Sequence, residues 1–463
     1  MKKLQDELVR SQVRAVVSGS AYWKERFAAV GVTAGKIDGV NALGGIPAVG
    51  ERDVSPTGDA AAMASLVLHG GERQFALHSS GSDVRRAIRL RATRSAAYKQ
   101  VVDSETKPTS YIWGGLGFRY PIASTRGDLD VIARAGARLW QVLGLTGADA
   151  LVSAVPVTAT AEHTSLQLAA LAAGAPALFP GDDTDAVLAA ARLAPPTVLA
   201  VPTAAAVDVV EAAASADVLD RLTTLLLVGY PAESEREAAV AAVNDAASRD
   251  IAVLAVHAPA GARVLWGECR EAAGRGRLGG TTGLHTYPDL DLVQLVDAET
   301  GEQVTASTGE LVLTQLGMRG SALLRWRTGD VVAGVEFNAC PACGRTVPRV
   351  VGTRRGALVV TADSGRALDL RAVAGALIGR ADVEDWRVVV GGRARDGRDQ
   401  VVVHLLSSAD DADETVVGAA ADIRAVAGRL PSQLVATDVD ALAALTASVP
   451  PEAALTQRVL LRG

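Results

Sequence analysis

The chain has 463 residues, of which 49% are hydrophobic and 21% are charged, and its net charge is −6. This length exceeds the roughly 100–200 residues that one core usually organises, so we expect two or three packed units. The acidic balance offers no basic field to nucleic acid, and no uninterrupted apolar stretch of about 18 residues indicates a membrane span. Three cysteines are too few for a disulfide framework and fit a reducing cytoplasm. We therefore predict a cytoplasmic protein whose ligands are small molecules.

Residues 1–60 have a helical and then an irregular pattern, and the segment QFALHSSGS indicates a strand that runs into a loop of small residues. From about residue 125 to 260, helical segments alternate with the apolar segments ALVSAV, APALF, TVLAVP, TTLLLVG and AVLAVH. Continuous apolar strands between helices are typical of a parallel sheet that is covered on both faces. This region therefore predicts βαβ units.

Residues 290–335 are richer in β segments, and the turn residues at 299–302 indicate a hairpin. After Gly356 a new series begins: a strand, a helix, two strands, a long helix and a last short strand. The prediction is an α/β fold with a large N-terminal domain (1–355), which combines βαβ-type sheets with a β-rich subdomain. A small α+β C-terminal domain (356–463) follows.

Several segments, in order, resemble the adenylate-forming (AMP-binding) enzymes, particularly those of the phenylacetate–CoA ligase type. The most specific is LLRWRTGDVV (323–332), which is similar to the R-x-R-T-G-D strand and turn of that family. The others are AYWKERF with GIPAVGERD, APALFPGDDTDAVLAAARLAPPTVLAVPT, TGLHTYPDLDLVQLVD and CPACGRTVPRVVGTRRGALVV. Together they cover nearly the whole chain.

The resemblance implies that the large domain binds ATP and a carboxylic acid, and that the small domain acts as a rotating lid. In the implied reaction the carboxylate attacks the α-phosphate to give an acyl-adenylate. A thiol such as coenzyme A then displaces AMP. The expected ligands are therefore ATP or AMP, Mg²⁺, coenzyme A and a small-molecule carboxylic acid or acyl conjugate. The oligomeric state is left open, with a homodimer among the alternatives.

Asp330, at the end of R-x-R-T-G-D, matches the aspartate that accepts hydrogen bonds from the ribose hydroxyls in this family. The alternative is that Asp330 stabilises its own turn. Ser79, Ser80, Gly81 and Ser82 stand in the place of the phosphate-binding loop. Backbone N–H groups between small residues can approach phosphate oxygens there. The second half of the family's loop is absent, so a turn without phosphate affinity is the alternative.

Other positions depart from the family pattern. Trp266 and Gly267 match the start of Y-G-x-T-E, and Arg270 then takes the place of the glutamate that helps to hold Mg²⁺. A guanidinium repels a dication, and Glu268 could substitute only if the backbone shifts. In the C-terminal tail, Leu455 takes the place of the family's catalytic lysine. These departures all affect adenylate formation.

Cys340, Cys343 and His285 match residues that bind a structural zinc ion in some relatives. A C-x-x-C turn places two thiolates suitably around a tetrahedral ion. The family's fourth ligand is missing near residue 279, and Cys269 could complete the set if folding brings it close. The alternative is two free thiols in a tight turn and a surface histidine.

Three functions remain open. The first is ATP-dependent activation of a carboxylic acid, as in acid–CoA ligases, with altered or weakened adenylation. The second is a catalytically degenerate relative that binds a nucleotide or acyl ligand as an accessory protein. The third is acyl transfer from a preformed adenylate or thioester.

Overall fold

A computed structural model provides the three-dimensional description of the chain. It describes residues 2–55, 59–68, 96–114, 120–231, 233–246, 250–273, 282–297, 300–304, 308–355, 359–361, 367–378, 380–393, 399–409, 411–427, 430–445 and 459–461. The predicted phosphate-binding loop, Ser79–Ser82, and the tail residue Leu455 lie outside these residues. In the described part, no helix combines the length and the apolar character needed to cross a membrane.

The helices are given first, in chain order. They are α1 Lys2–Gly19, α2 Ala21–Ala29, α3 Glu51–Val54, α4 Ala96–Thr106, α5 Arg126–Val142, α6 Thr160–Ala173, α7 Thr184–Leu193, α8 Ala206–Ser215, α9 Glu233–Ala246, α10 Arg270–Ala273, α11 Leu370–Ile378, α12 Ala412–Ala427 and α13 Val439–Leu445. Short 3-10 helices lie at Ala34–Lys36, Val40–Gly45, Ala60–Leu66 and Thr203–Ala205.

The strands follow in the same order. They are β1 Pro108–Gly114, β2 Tyr120–Thr125, β3 Leu151–Ser153, β4 Ala177–Leu178, β5 Val198–Pro202, β6 Thr224–Val228, β7 Ala252–His257, β8 Trp266–Gly267, β9 Leu284–His285, β10 Asp291–Val296, β11 Gly309–Gln315, β12 Trp326–Glu336, β13 Arg349–Arg355, β14 Val359–Thr361, β15 Ala367–Asp369, β16 Val383–Arg393, β17 Asp399–Ser407, β18 Gln433–Ala436 and β19 Val459–Leu461.

Eleven strands form one mixed sheet in the order β10-β11-β12-β13-β9-β8-β7-β6-β5-β3-β4. The half from β7 to β4 is parallel, and its strands are joined by helices, as the apolar strand pattern predicts. The half from β10 to β8 is antiparallel. The strands β5 and β6 are almost entirely buried because helices cover the parallel half. The predicted α/β fold class is confirmed.

The large sheet bends sharply at two of its shortest strands, β8 and β9. His257 at the end of β7 contacts Asp330 on β12, with 3.1 Å between Nε2 and Oδ2. In a flat sheet, the four inter-strand steps of about 4.8 Å between β7 and β12 would separate them by roughly 19 Å. A second bond crosses the same bend, since the Gly352 amide on β13 donates to the Tyr230 hydroxyl after β6 (3.0 Å). The two halves of the sheet therefore face each other.

A buried carboxylate ties helix α5 to the loop before β12. Asp128 accepts hydrogen bonds from the backbone amides of Thr125, Arg319 and Gly320, at 2.8–2.9 Å. The Arg263 guanidinium lies 3.5 Å away and is itself buried. Because Asp128 is fully buried, these donors replace the water that an exposed carboxylate would bind.

The C-terminal part of the chain forms a separate four-stranded sheet in the order β18-β17-β16-β19. The strands β16 and β17 pair antiparallel, and the flanking pairs are parallel. Helices α11 and α12 supply apolar side chains to its core, which includes Leu377, Val388, Val401, Val403 and Ile423. This α+β composition is the one expected after Gly356, and the boundary at 355/356 stays a prediction.

Candidate functional site

The carboxyl ends of the parallel strands form one edge of the large sheet, which is where open α/β sheets bind ligands. Thr203 follows β5, Gly229 and Tyr230 follow β6, and His257 ends β7. Gly229 has φ +120°, and a Cβ there would lie 3.1 Å from the Thr203 hydroxyl. Glycine therefore allows the chain to turn closely over this edge.

The bend of the sheet brings Asp330 to this edge. Its carboxylate and the His257 imidazole are both about 1% exposed, and the 3.1 Å contact joins His257 Nε2 to Asp330 Oδ2. The Tyr230 ring stands edge-on to the imidazole, with 6.4 Å between the ring centroids. The structure thus groups three polar side chains from three separate segments, two of them at strand ends.

A different carboxylate holds the Arg-Thr-Gly-Asp turn. Glu310 on β11 accepts a hydrogen bond from Arg327 Nε at 2.9 Å and one from the Gly329 amide at 3.1 Å. The Asp330 amide donates to the Thr328 hydroxyl oxygen. Glu310 and Thr328 thus hold the backbone of β12 around Gly329, and the Asp330 side chain contacts His257.

The backbone of Trp266 and Gly267 lies close to this edge, but the Trp266 indole and the Cα of Gly267 face the core. Trp266 pairs with His257 across β8 and β7, while its indole is buried and donates to Asp291 Oδ2 at 2.9 Å. Gly267 faces the core, since a Cβ there would lie 2.5 Å from Leu139. Both residues therefore act in packing in the described structure.

Arg270 lies where β6 begins. Its guanidinium donates to the Thr224 hydroxyl at 2.6 Å and to the Thr223 carbonyl at 3.3 Å. Asp330 is near the other end of the parallel strands, and the length of β6 is about 13 Å at 3.3 Å per residue. Arg270 therefore does not stand beside Asp330, and its expected place at the phosphates stays a prediction.

Glu268 is also committed elsewhere. It accepts a hydrogen bond from Arg236 at 2.8 Å and one from the Ala255 amide at 2.8 Å. Burial raises the pKa of its carboxyl group, and the Arg236 charge acts in the opposite direction. Glu268 thus bonds to Arg236 and Ala255 in the described structure, and a role as Mg²⁺ ligand stays untested.

A second cluster contains all three cysteines and a histidine. The thiol sulfurs of Cys269, Cys340 and Cys343 and a ring nitrogen of His285 lie within 4.8 Å of one another. The Cys269 and Cys340 sulfurs are 3.8 Å apart, and the Cys343 sulfur is 3.6 Å from His285 Nε2. Tetrahedral zinc with bonds of about 2.3 Å to sulfur and 2.05 Å to nitrogen requires separations of about 3.8 and 3.6 Å. The donor set and its spacing therefore fit zinc.

Local structure explains how the cluster forms. The Cys340–Gly344 turn is closed by the Gly344 amide, which donates to the Cys340 carbonyl at 2.8 Å, and Gly344 has φ +73°. Burial, together with the charges of Arg345 and Arg349, lowers the pKa of His285 to about 4. The imidazole is thus neutral, which is the form that binds metal.

The thiols differ in their surroundings. Burial raises the pKa of Cys269 to about 12. Burial acts in the same direction on Cys340, but the backbone amides of Cys343 and Ala342 outweigh it and lower that pKa to about 7. The two amides therefore favour the thiolate of Cys340, which is the form that binds a metal ion.

The fold is similar to that of solved acid–CoA ligases. A structure of 2-hydroxyisobutyryl-CoA ligase in the postadenylation state, in complex with R3-HIB-AMP, matches 99% of this chain and 89% of its own, with a TM-score of 0.60 and 16% identity. An open conformation of that ligase with 2-HIB-AMP and CoA gives a TM-score of 0.58, 15% identity, and coverage of 99% and 91%. A structure of that ligase in the thioesterification state, with 2-HIB-AMP and CoA, gives a TM-score of 0.59 and 15% identity, and the match covers 100% of this chain and 89% of the ligase.

The chain has the fold of these ligases. No family model and no curated protein matches the sequence, so the evidence is the three-dimensional similarity. The fold expected from the resemblance to adenylate-forming enzymes is confirmed, and the phenylacetate–CoA type stays a resemblance. Within this fold, sequence reasoning singled out Asp330 but not His257, which the structure places beside it. The available signal was a polar residue at the carboxyl end of a parallel strand.

A substitution of Arg270 tests whether this residue lies beside the phosphates or at the start of β6. If Arg270 stood beside the phosphates, Arg270→Glu would restore an acidic ligand and increase Mg²⁺-dependent pyrophosphate release. From its bonds to Thr223 and Thr224, we expect no gain and a loss of about 1–2 kcal/mol in the free energy of unfolding. Chemical denaturation and a pyrophosphate assay measure both, with the exposed Arg221→Glu as control. A tenfold gain in release would contradict the placement.

Proposed function

We propose that this protein activates a carboxylic acid as an acyl-adenylate, as acid–CoA ligases do, and that its nucleotide binds at the bend of the large sheet. The observation that carries the proposal is the position of Asp330 at the carboxyl ends of the parallel strands. Similarity along 99% of the chain to a ligase that holds an acyl-adenylate supports it.

The residues at the bend suit a nucleoside. A carboxylate is a good acceptor of hydrogen bonds from hydroxyl groups, because charged acceptors form stronger hydrogen bonds than neutral ones. Asp330 has one oxygen, Oδ1, beyond its bond to His257, and this atom would accept a ribose hydroxyl. Tyr230 is half-buried beside the pair and would provide apolar ring surface next to the sugar or base.

The proposed reaction has two steps. A carboxylate oxygen of the acid attacks the α-phosphorus of ATP. The bond between that phosphorus and the bridging oxygen breaks, and pyrophosphate leaves with its electron pair. The thiol sulfur of coenzyme A then attacks the acyl carbon, AMP leaves, and the thiol proton goes to solvent. Glu268 and Arg270 bond to Arg236 and Thr224 in the structure, so we assign no step to a protein-bound magnesium ion.

Pyrophosphate release from ATP with a panel of aryl and alkyl acids, with and without coenzyme A, tests the proposal. We expect acid-dependent release by the wild-type protein. Asp330→Ala should lower kcat/KM for ATP about 10- to 100-fold, because a charge-assisted hydrogen bond of about 1.5–3 kcal/mol is lost. Glu336→Ala, on the exposed end of the same strand, should leave it unchanged.

Each half of the proposal has a result that would contradict it. AMP binding without pyrophosphate release in the presence of any acid would contradict acid activation and leave an accessory or acyl-transfer role. Equal activity of Asp330→Ala and wild type would contradict the position of the nucleotide at Asp330. Thermal unfolding of each variant shows whether a loss of activity reflects a loss of fold.

We also propose that Cys269, Cys340, Cys343 and His285 bind a structural zinc ion. Four protein ligands leave no position for water, as is usual for structural rather than catalytic zinc. The ligands come from the segment after β8, from β9 and from the turn before β13. A bound ion would therefore join the short strands at which the sheet bends.

Metal analysis of the purified protein tests the zinc proposal. We expect one zinc per chain, near-complete loss in Cys343→Ser, and a lower Tm after treatment with a strong chelator, because the ion stabilises only the folded state. Thr282→Ala is the matched control, since its hydroxyl lies 3.8 Å from the Cys269 sulfur but is not a ligand. A metal-free protein whose Tm does not rise with added zinc would contradict the proposal.

A further inference from the structure

The His257–Asp330 pair has an asymmetry that the proposed function does not explain. Both side chains are about 1% exposed, and the contact uses one oxygen of the carboxylate, Oδ2, at 3.1 Å. A carboxylate can only accept, so the imidazole donates its Nε2 proton. The bond therefore fixes the tautomer of His257 and the rotation of the carboxylate together.

The fold restricts the orientation of the His257 imidazole. Its backbone is the last residue of β7 and pairs with Trp266 on β8, and the Tyr230 ring stands edge-on to its imidazole. Among the described residues, no group forms a hydrogen bond with the other ring nitrogen, Nδ1. The Nε2 bond to Asp330 is thus the polar contact that orients this buried ring.

We propose that His257 is a positioning residue, which holds Oδ2 of Asp330 so that Oδ1 faces the ribose of the bound nucleotide. The inference rests on the nucleotide site proposed above. Without the imidazole proton, the carboxylate would rotate and would lie buried without a donor, which costs binding free energy when the ligand arrives. His257 therefore affects nucleotide affinity through Asp330.

Side-chain length separates this role from simple packing. In His257→Gln, the amide NH₂ group replaces the Nε2 donor at a similar reach, whereas in His257→Asn the side chain is too short for that position. His257→Leu keeps apolar volume and removes the donor. A packing role predicts that leucine is tolerated, and a positioning role predicts that glutamine is tolerated.

Calorimetric titration of the full-length protein with AMP tests the proposal. We expect His257→Leu and His257→Asn to weaken AMP binding about tenfold and His257→Gln to stay within about threefold, as for other residues that orient a ligand-binding group. In the Asp330→Ala background, His257→Leu should change the affinity less than about twofold, because the two residues act as one unit. His404→Gln, which removes a histidine bonded to Thr437 in the C-terminal sheet, is the control.

The outcomes separate the two proposals. If the wild-type protein does not bind AMP, the nucleotide site itself is wrong, and the role of His257 is overturned with it. If the wild type binds AMP but the leucine and glutamine variants match each other, the donor role alone is overturned. An effect of His257→Leu that persists in the Asp330→Ala background also overturns it. If the leucine variant unfolds, the comparison of glutamine with asparagine decides.

Discussion

The bend of the eleven-stranded sheet is the constraint on which the proposed site depends. The strands β8 and β9 have two residues each, so they provide little ladder to keep the two halves coplanar. The halves fold towards each other, and His257–Asp330 and Tyr230–Gly352 join them across the gap. The carboxyl ends of the parallel strands thereby lie beside residues from the antiparallel half of the sheet.

The cysteine cluster lies along the same short strands. Cys269 follows β8 by two residues, His285 is in β9, and the Cys340–Cys343 turn precedes β13. Each ligand thus comes from a segment that forms the bend or leads into it. A zinc ion would stabilise the region of the sheet that has the fewest backbone hydrogen bonds between strands. The proposed ion would therefore have a structural role and no role in the proposed reaction.

Much of the fold could be predicted from the sequence because local patterns determine it. Apolar strands such as TVLAVP and AVLAVH predict a parallel sheet, and the structure has it. The C-x-x-C turn and the lone Cys269 predict a set of donors, and the structure brings them together. In both cases residue type and short spacing carry the information.

The rest depended on spatial relations that spacing does not encode. Alignment to a short motif predicts Arg270 at the phosphates, whereas the turn of the chain after β7 takes Arg270 to the end of the strands away from Asp330. His257 was missed because it meets Asp330, 73 residues later, only when the sheet bends. A motif match fixes neither the direction of the returning chain nor the curvature of a sheet.

A crystal structure of the full chain with bound AMP tests most directly whether the nucleotide lies at this bend. The account predicts the ribose within hydrogen-bond distance of Asp330, with Oδ2 of that residue still bonded to His257 and the purine near Tyr230. AMP bound elsewhere on the chain, or a ribose that makes no contact with Asp330, would contradict it.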